Sequence, residues 1–158
     1  DFVDKIYFEN KSKYEAYQEY FEEVLECVNK YNNFDVYGHL DFIKRYGIYE
    51  NNEIDYNKHE DVIRDILKLL IHKGKGIEVN TSGYKYKLNC LHPNDFILKI
   101  YKELGGEIIT IGSDSHDLIH ITDQFDIVYD TLMRLGYKYF ATFDKRKPLF
   151  NSLNKFKY

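Results

Sequence analysis

Cysteine is scarce in this chain: only Cys27 and Cys90 occur, and they form no Cys-x-x-Cys pair. That excludes a disulfide framework and a zinc-ribbon site, and makes a reducing cytoplasm the default compartment. Long hydrophobic runs are lacking too. No apolar stretch approaches the roughly 20 residues needed to span a bilayer, and the amino terminus has no signal-peptide pattern, so a soluble, unexported protein is expected. Neither charge dominates. With 22 Lys and Arg against 26 Asp and Glu, the net charge is -4 and the pI about 5.9. This gives no electrostatic reason to expect nucleic acid or an acidic membrane as partner, and an anionic substrate must be met by local cations. Internal repeats, low-complexity tracts and interdomain linkers are absent, and 158 residues suffice for one domain with a sizeable core. The first residue is Asp1, not Met, so the chain is expected to begin partway through a larger protein.

What is present is an alternation of helical and strand patterns. Ser12 with Glu15 three residues on forms a capping-box signature, and Tyr17, Phe21, Val24, Leu25 and Val28 recur at helical spacing, which predicts a helix over 12–31. Phe34 to Leu40 reads as a short buried strand. Val62, Ile63, Ile66, Leu67, Leu70 and Ile71 mark a second amphipathic helix, stopped by Lys73-Gly74-Lys75-Gly76, and Ile77 to Asn80 is a second strand. Pro93 is placed to start a helix running to Gly105-Gly106. A third strand over Glu107 to Gly112, a helix from about Asp123 to Gly136 and a fourth strand over 138–143 follow. Continuous apolar strands separated by helices imply an α/β fold with a parallel sheet covered by helices, either a barrel or an open sheet.

Ile111-Gly112-Ser113-Asp114-Ser115-His116 sets a carboxylate and an imidazole two residues apart after an apolar run. On a strand that spacing aims both at one face. The pair suits a divalent metal, with one hard oxygen and one borderline nitrogen donor. The plain alternative is that Asp114 caps the next helix and His116 lies in a loop. His39 with Asp41 and Glu78 with Asn80 repeat the pattern at the carboxyl ends of two other expected strands, where α/β active sites gather. Three strands delivering polar pairs to one rim point to a common site.

Gly38-His39-Leu40-Asp41-Phe42-Ile43-Lys44-Arg45-Tyr46, Glu78-Val79-Asn80-Thr81-Ser82-Gly83 and Gly112-Ser113-Asp114-Ser115-His116 resemble successive motifs of the PHP (polymerase and histidinol phosphatase) superfamily, specifically its PHP-type histidinol-phosphatases. His92-Pro93, Leu104-Gly105-Gly106 and Lys145-Arg146-Lys147-Pro148 extend the likeness over nearly the whole chain. The resemblance implies a distorted (β/α)7 TIM-like barrel, up to three divalent metals (Zn, Mn or Fe), and hydrolysis of L-histidinol phosphate in histidine biosynthesis. It implies His39, Asp114 and His116 as metal ligands, with Asp41 behind them fixing His39 or the local loop. The family's amino-terminal His-x-His pair has no counterpart. The chain is therefore similar only to the C-terminal part of the barrel, and as a fragment is expected to be inactive alone and to self-associate through unpaired strand edges.

In such an enzyme Asp114 has two open roles, orienting the nucleophilic water or protonating the leaving alkoxide. Arg45 and Lys85 are the candidates by position for gripping the phosphate, Lys85 standing where relatives often carry Arg. Glu78 is a candidate for recognising the amino group of histidinol, for accepting a hydrogen bond from a His ligand, or for a buried strand-end role, with Asn80 as its hydrogen-bonding neighbour. His120 is placed to share a helical face with His116, His92 reads as a loop residue near a helix start, and His59 and His72 fall in helical segments. Ser82 and Ser113 lack a nucleophile elbow. Two other readings stay open: a PHP phosphoesterase on another small phosphoester, and a non-catalytic PHP-derived interaction domain.

Overall fold

In the computed structural model, which describes residues 6–156, helix α1 (Lys13–Lys30) begins as the sequence predicts. Ser12 caps it: its backbone N–H donates to Glu15 Oε2 at 2.8 Å and its hydroxyl accepts from the Glu15 amide at 3.3 Å. The Ser12 hydroxyl, donating to Glu15 Oε2 at 2.7 Å, and next the Ser12 backbone N–H hold the exposed Glu15 carboxyl below the usual carboxylate range. Ala16, Tyr17, Phe21, Val24 and Val28 form the buried stripe of α1 and pack on the Val62, Ile63, Ile66, Leu67 and Leu70 stripe of α2 (Glu60–His72). Just past α2, the Lys73 ammonium donates to Val28 O and Asn29 O, both at 2.7 Å, and to Asn32 Oδ1 at 2.8 Å. It thereby satisfies carbonyls that the end of α1 leaves open.

Three parallel strands, β1 (Val36–Tyr37), β2 (Gly76–Asn80) and β3 (Ile109–Gly112), form a sheet in the order β1-β2-β3. Glu78 pairs with Thr110 and Asn80 with Gly112, so in-register neighbours share a face. Ile77, Val79 and Ile109 are fully buried in the core with residues of α2 and of α4 (Asp95–Glu103). Glu78, Asn80 and Thr110 lie on the opposite face. One face is thus the core and the other is polar. No helix among the described residues is long and apolar enough to cross a membrane.

Four expectations are corrected. The first strand shrinks to two residues because the backbone turns left-handed at His39, φ 32°. Pro93 does not open α4: His92 is held in a bridge with Asn80, and Asn94 caps the helix, its Oδ1 accepting from the Ile97 amide at 3.4 Å. The segment predicted as helix from Asp123 becomes α5 (Phe125–Arg134). The fourth strand, β4 (Tyr139–Asp144), joins no parallel sheet but pairs antiparallel with β5 (Lys147–Ser152). The two residues between them, Lys145 and Arg146, have φ 47° and 65°, the backbone of a tight two-residue hairpin turn. Arg146 then reaches Asp35, just before β1, with Nε–Oδ2 2.9 Å and Nη2–Oδ1 3.1 Å, and Asn33 with Nη1–Oδ1 2.7 Å. The hairpin tip is therefore clasped at the amino end of β1, away from the strand ends that carry the polar residues.

Candidate functional site

A true i, i+2 strand pair occurs at one of the three strand ends. Glu78 and Asn80 project from β2 on the polar face, and Asn80 Nδ2 donates to Glu78 Oε2 at 3.1 Å. The neighbouring strands leave room for that carboxylate by carrying glycine. A Cβ on Gly112 would fall 2.2 Å from Glu78 Oε1, and one on Gly38 3.3 Å from Oε2. Glu78 thus lies across the sheet between the ends of β1 and β3, half-buried.

His39 and Asp41 part company. The left-handed turn at His39 leaves its ring half-buried and stacked on Phe42 at 4.6 Å between centroids. Asp41 is fully buried. Its Oδ1 accepts from His92 Nδ1 at 2.7 Å, and its Oδ2 accepts from the Tyr56 hydroxyl at 2.6 Å and the Asn94 amide at 3.1 Å. Burial, and next the Asp41 charge, push the Tyr56 phenol well above its ordinary range, so it remains a donor. Asp41 thus ties its loop to Tyr56, His92 and Asn94, and makes no hydrogen bond to His39 among the described residues. Sequence reasoning missed Tyr56 altogether and read His92 as a loop residue, whereas it is fully buried. The only local signal for His92 is the following proline.

Asp114 and His116 lie beyond the last residue of β3, with Asp114 at φ 50° and both side chains exposed. The one-face argument from strand periodicity does not apply to them. The capping alternative fails as well, since α5 starts at Phe125. It is Asp117 that organises the loop: Oδ1 accepts from the amides of Ile119 and His120, both at 3.1 Å, and pairs with His120 Nδ1 at 2.6 Å. The His120 bond is the main cause holding the Asp117 carboxyl below its usual range. No helix forms between His116 and His120, so their expected shared face is absent.

The two candidate phosphate cations differ in setting. The Arg45 guanidinium carbon lies 3.1 Å from the centroid of the Tyr86 ring and 5.3 Å from those of Phe42 and Tyr46. It makes no carboxylate pair among the described residues. Lys85, exposed at the end of the short helix α3 (Ser82–Lys85), lines a cavity of about 320 Å³ with Thr81, Tyr84, Ser113, Ser115 and His120. This cleft spans the ends of β2 and β3 beside Asp114.

His39, Asp114 and His116 offer imidazole and carboxylate donors suited to a divalent metal. None of the three is hydrogen-bonded to another described side chain. Yet among the described residues no three His, Cys, Asp or Glu side chains converge into a cage. The donors fit a metal as an incomplete set. Burial pushes the Cys90 thiol up despite Lys44 Nζ at 3.6 Å.

A family profile described as PHP domain matches residues 1–82. A probable histidinol-phosphatase of Clostridium acetobutylicum is 38% identical over 118 residues, 73% of this chain and 45% of the relative. The histidinol-phosphatase of Lactococcus lactis is 34% identical over 110 residues, 70% of this chain and 40% of the relative. A probable histidinol-phosphatase of Thermotoga maritima is 31% identical over 140 residues, 89% and 57% respectively. The chain spans about half the length of these curated relatives. A crystal structure of histidinol phosphate phosphatase from Lactococcus lactis, complexed with zinc, L-histidinol and phosphate, superposes with TM-score 0.76 at 28% identity, covering 90% of this chain and 54% of that one. The parallel sheet and its helices thus correspond to part of a TIM-like barrel. With the profile spanning half the sequence and the Gly-His-x-Asp, Glu-x-Asn and Asp-x-His motifs all gathered at the carboxyl ends of that sheet, this chain belongs to the PHP domain family.

Proposed function

We propose that the chain is part of a metal-dependent phosphomonoester hydrolase that converts L-histidinol phosphate and water to L-histidinol and phosphate. The observation that carries this reading is the match, over 90% of the chain, to a structure holding zinc, L-histidinol and phosphate. The polar strand-end rim supports it from within the chain.

His39, Asp114 and His116 each offer one donor to divalent metal, zinc, manganese or iron, up to three ions in all, with further ligands from the full-length protein. What the metal supplies when bound is charge stabilisation on phosphoryl oxygens and a lowered pKa for water. Arg45 presents a planar donor fork, held edge-free by its stack on Tyr86, to two phosphate oxygens. Lys85 adds a point charge from the wall of the cleft. Asp114, exposed and unpaired, orients the attacking water or returns a proton to the leaving alkoxide. Glu78, steadied by Asn80, accepts from the ammonium of the aminoalcohol. Water is the nucleophile: Ser82 Oγ is buried without a partner, and Ser113 Oγ donates to Ile121 O at 2.7 Å, so neither hydroxyl has a base.

The test is phosphate release from L-histidinol phosphate by the full-length protein with added zinc or manganese, beside a panel of other phosphomonoesters. Strong preference for histidinol phosphate, lost on chelation and restored by metal, is expected. Preference for another ester refutes the substrate. No turnover of any ester by the folded, metal-loaded protein refutes the activity.

A further inference from the structure

Asp41 and His92 come from segments 51 residues apart in the chain, yet both side chains are fully buried. All three partners of the Asp41 carboxylate donate to it, so His92 carries a proton on Nδ1, and the other ring nitrogen is Nε2. That Nε2 has no partner among the described residues. A buried polar atom without a partner is costly, and the ring is held there by what it connects.

His92 is bound at its backbone as firmly as at its ring. Its N–H donates to Asn80 O at 2.9 Å, and its C=O accepts from the Asn80 amide at 2.7 Å. Asn80 in turn donates from Nδ2 to Glu78 and accepts at Oδ1 from the Ser82 amide at 2.8 Å. A continuous line of hydrogen bonds therefore runs from the loop carrying His39, through Asp41, His92 and Asn80, to Glu78 and to the turn that ends at Lys85. The Nε2 edge of the ring also abuts that turn: a Cβ on Gly83 would lie 3.2 Å from Nε2 and 2.1 Å from Cys90 O.

We propose that His92 is a positioning residue, a clamp that sets the loop bearing His39 against the end of β2 bearing Glu78 and against the short helix α3 bearing Lys85. It touches neither metal nor substrate. The two sides of the site come from different strand ends, and β1, only two residues long, gives its loop little ladder support. Asp41–His92 supplies that support from beneath. Misplacement of reacting groups by about an ångström is enough to cost ~100-fold in rate.

The kinetic arm of the test rests on the phosphomonoester hydrolase reading; the structural arm does not. In the full-length protein, His92→Leu is expected to lower kcat about 10–100-fold, with KM changed far less and metal content unaltered. His92→Asn, which keeps a donor near the Nδ1 position but lacks the ring that buttresses Gly83, is expected to recover much of the loss. In proton NMR, a downfield imidazole N–H resonance is expected in the wild type, absent in His92→Leu and shifted in Asp41→Asn. Exchange of the Ser82 amide is expected to quicken in His92→Leu. Unchanged kcat in folded His92→Leu, no recovery in folded His92→Asn, or an absent downfield resonance would overturn the clamp. If the wild type hydrolyses no phosphomonoester, the hydrolase reading fails while the resonance and the exchange rate still decide on His92.

Discussion

Two glycines at the site meet opposite kinds of neighbour, and alanine at each should have opposite consequences. At Gly83 a Cβ would lie 2.1 Å from the carbonyl oxygen of Cys90, more than an ångström short of ordinary contact, with His92 Nε2 at 3.2 Å behind it. Both obstacles are rigid: one is backbone, the other a fully buried ring. Gly83 sits inside α3, where helix propensity alone favours alanine by about 0.8–1 kcal/mol. Overpacking of a well-filled interior costs about 1–3 kcal/mol, and a backbone clash of this depth belongs at the upper end, so Gly83→Ala should destabilise by about 2 kcal/mol net. At Gly112 the nearest atom is Glu78 Oε1 at 2.2 Å, the far end of a flexible side chain that can swing out over the open polar face. The loss there is one hydrogen bond from Asn80, about 1 kcal/mol. Gly112→Ala should therefore fold nearly as well as wild type while carrying a displaced Glu78. Denaturant melts of the two variants against wild type give the answer, the midpoint shift at constant slope being the readout. If Gly83→Ala is as stable as wild type, or Gly112→Ala loses as much as Gly83→Ala, the reasoning from neighbour rigidity is refuted.

Buried His59, bonded to Gln18 Oε1 through Nδ1 at 2.9 Å and stacked on Tyr14, has its pKa lowered chiefly by desolvation. The unfolded chain binds that proton more readily, so stability is full above about pH 6.5 and falls as pH drops toward the folded value; His59→Gln should flatten this part of the stability profile, and an unchanged acid limb would count against it. Lys73→Met removes the cation from the end of α1 and should cost about 0.3–1 kcal/mol at low salt, less at high salt, measured by melts at two ionic strengths. Arg146→Lys exchanges a forked contact with Asp35 for a single point charge, and is expected to raise amide exchange in the hairpin tip without changing that of β2; equal exchange in both variants would show that the clasp holds nothing.

Local patterns carried the elements whose stability is local. The capping box at Ser12 and Glu15, the apolar stripes of α1 and α2 and the short strand run of β2 each depend on neighbours a few residues away, and each stands where the local pattern places it. The motif residues likewise announce a strand-end site, because chemistry-bearing side chains in an α/β fold collect where strands give way to loops. Where backbone direction changes, the pattern misled: the left-handed turns at His39 and Asp114 cancel the period-two argument just beyond β1 and β3, and a two-residue turn sends β4 back on itself instead of into the parallel sheet. Only the tertiary fold decided what Asp41 holds. Its partners Tyr56, His92 and Asn94 lie 15, 51 and 53 residues away, and the value of a buried carboxylate depends on donors brought to it in space, for which spacing along the chain carries no signal.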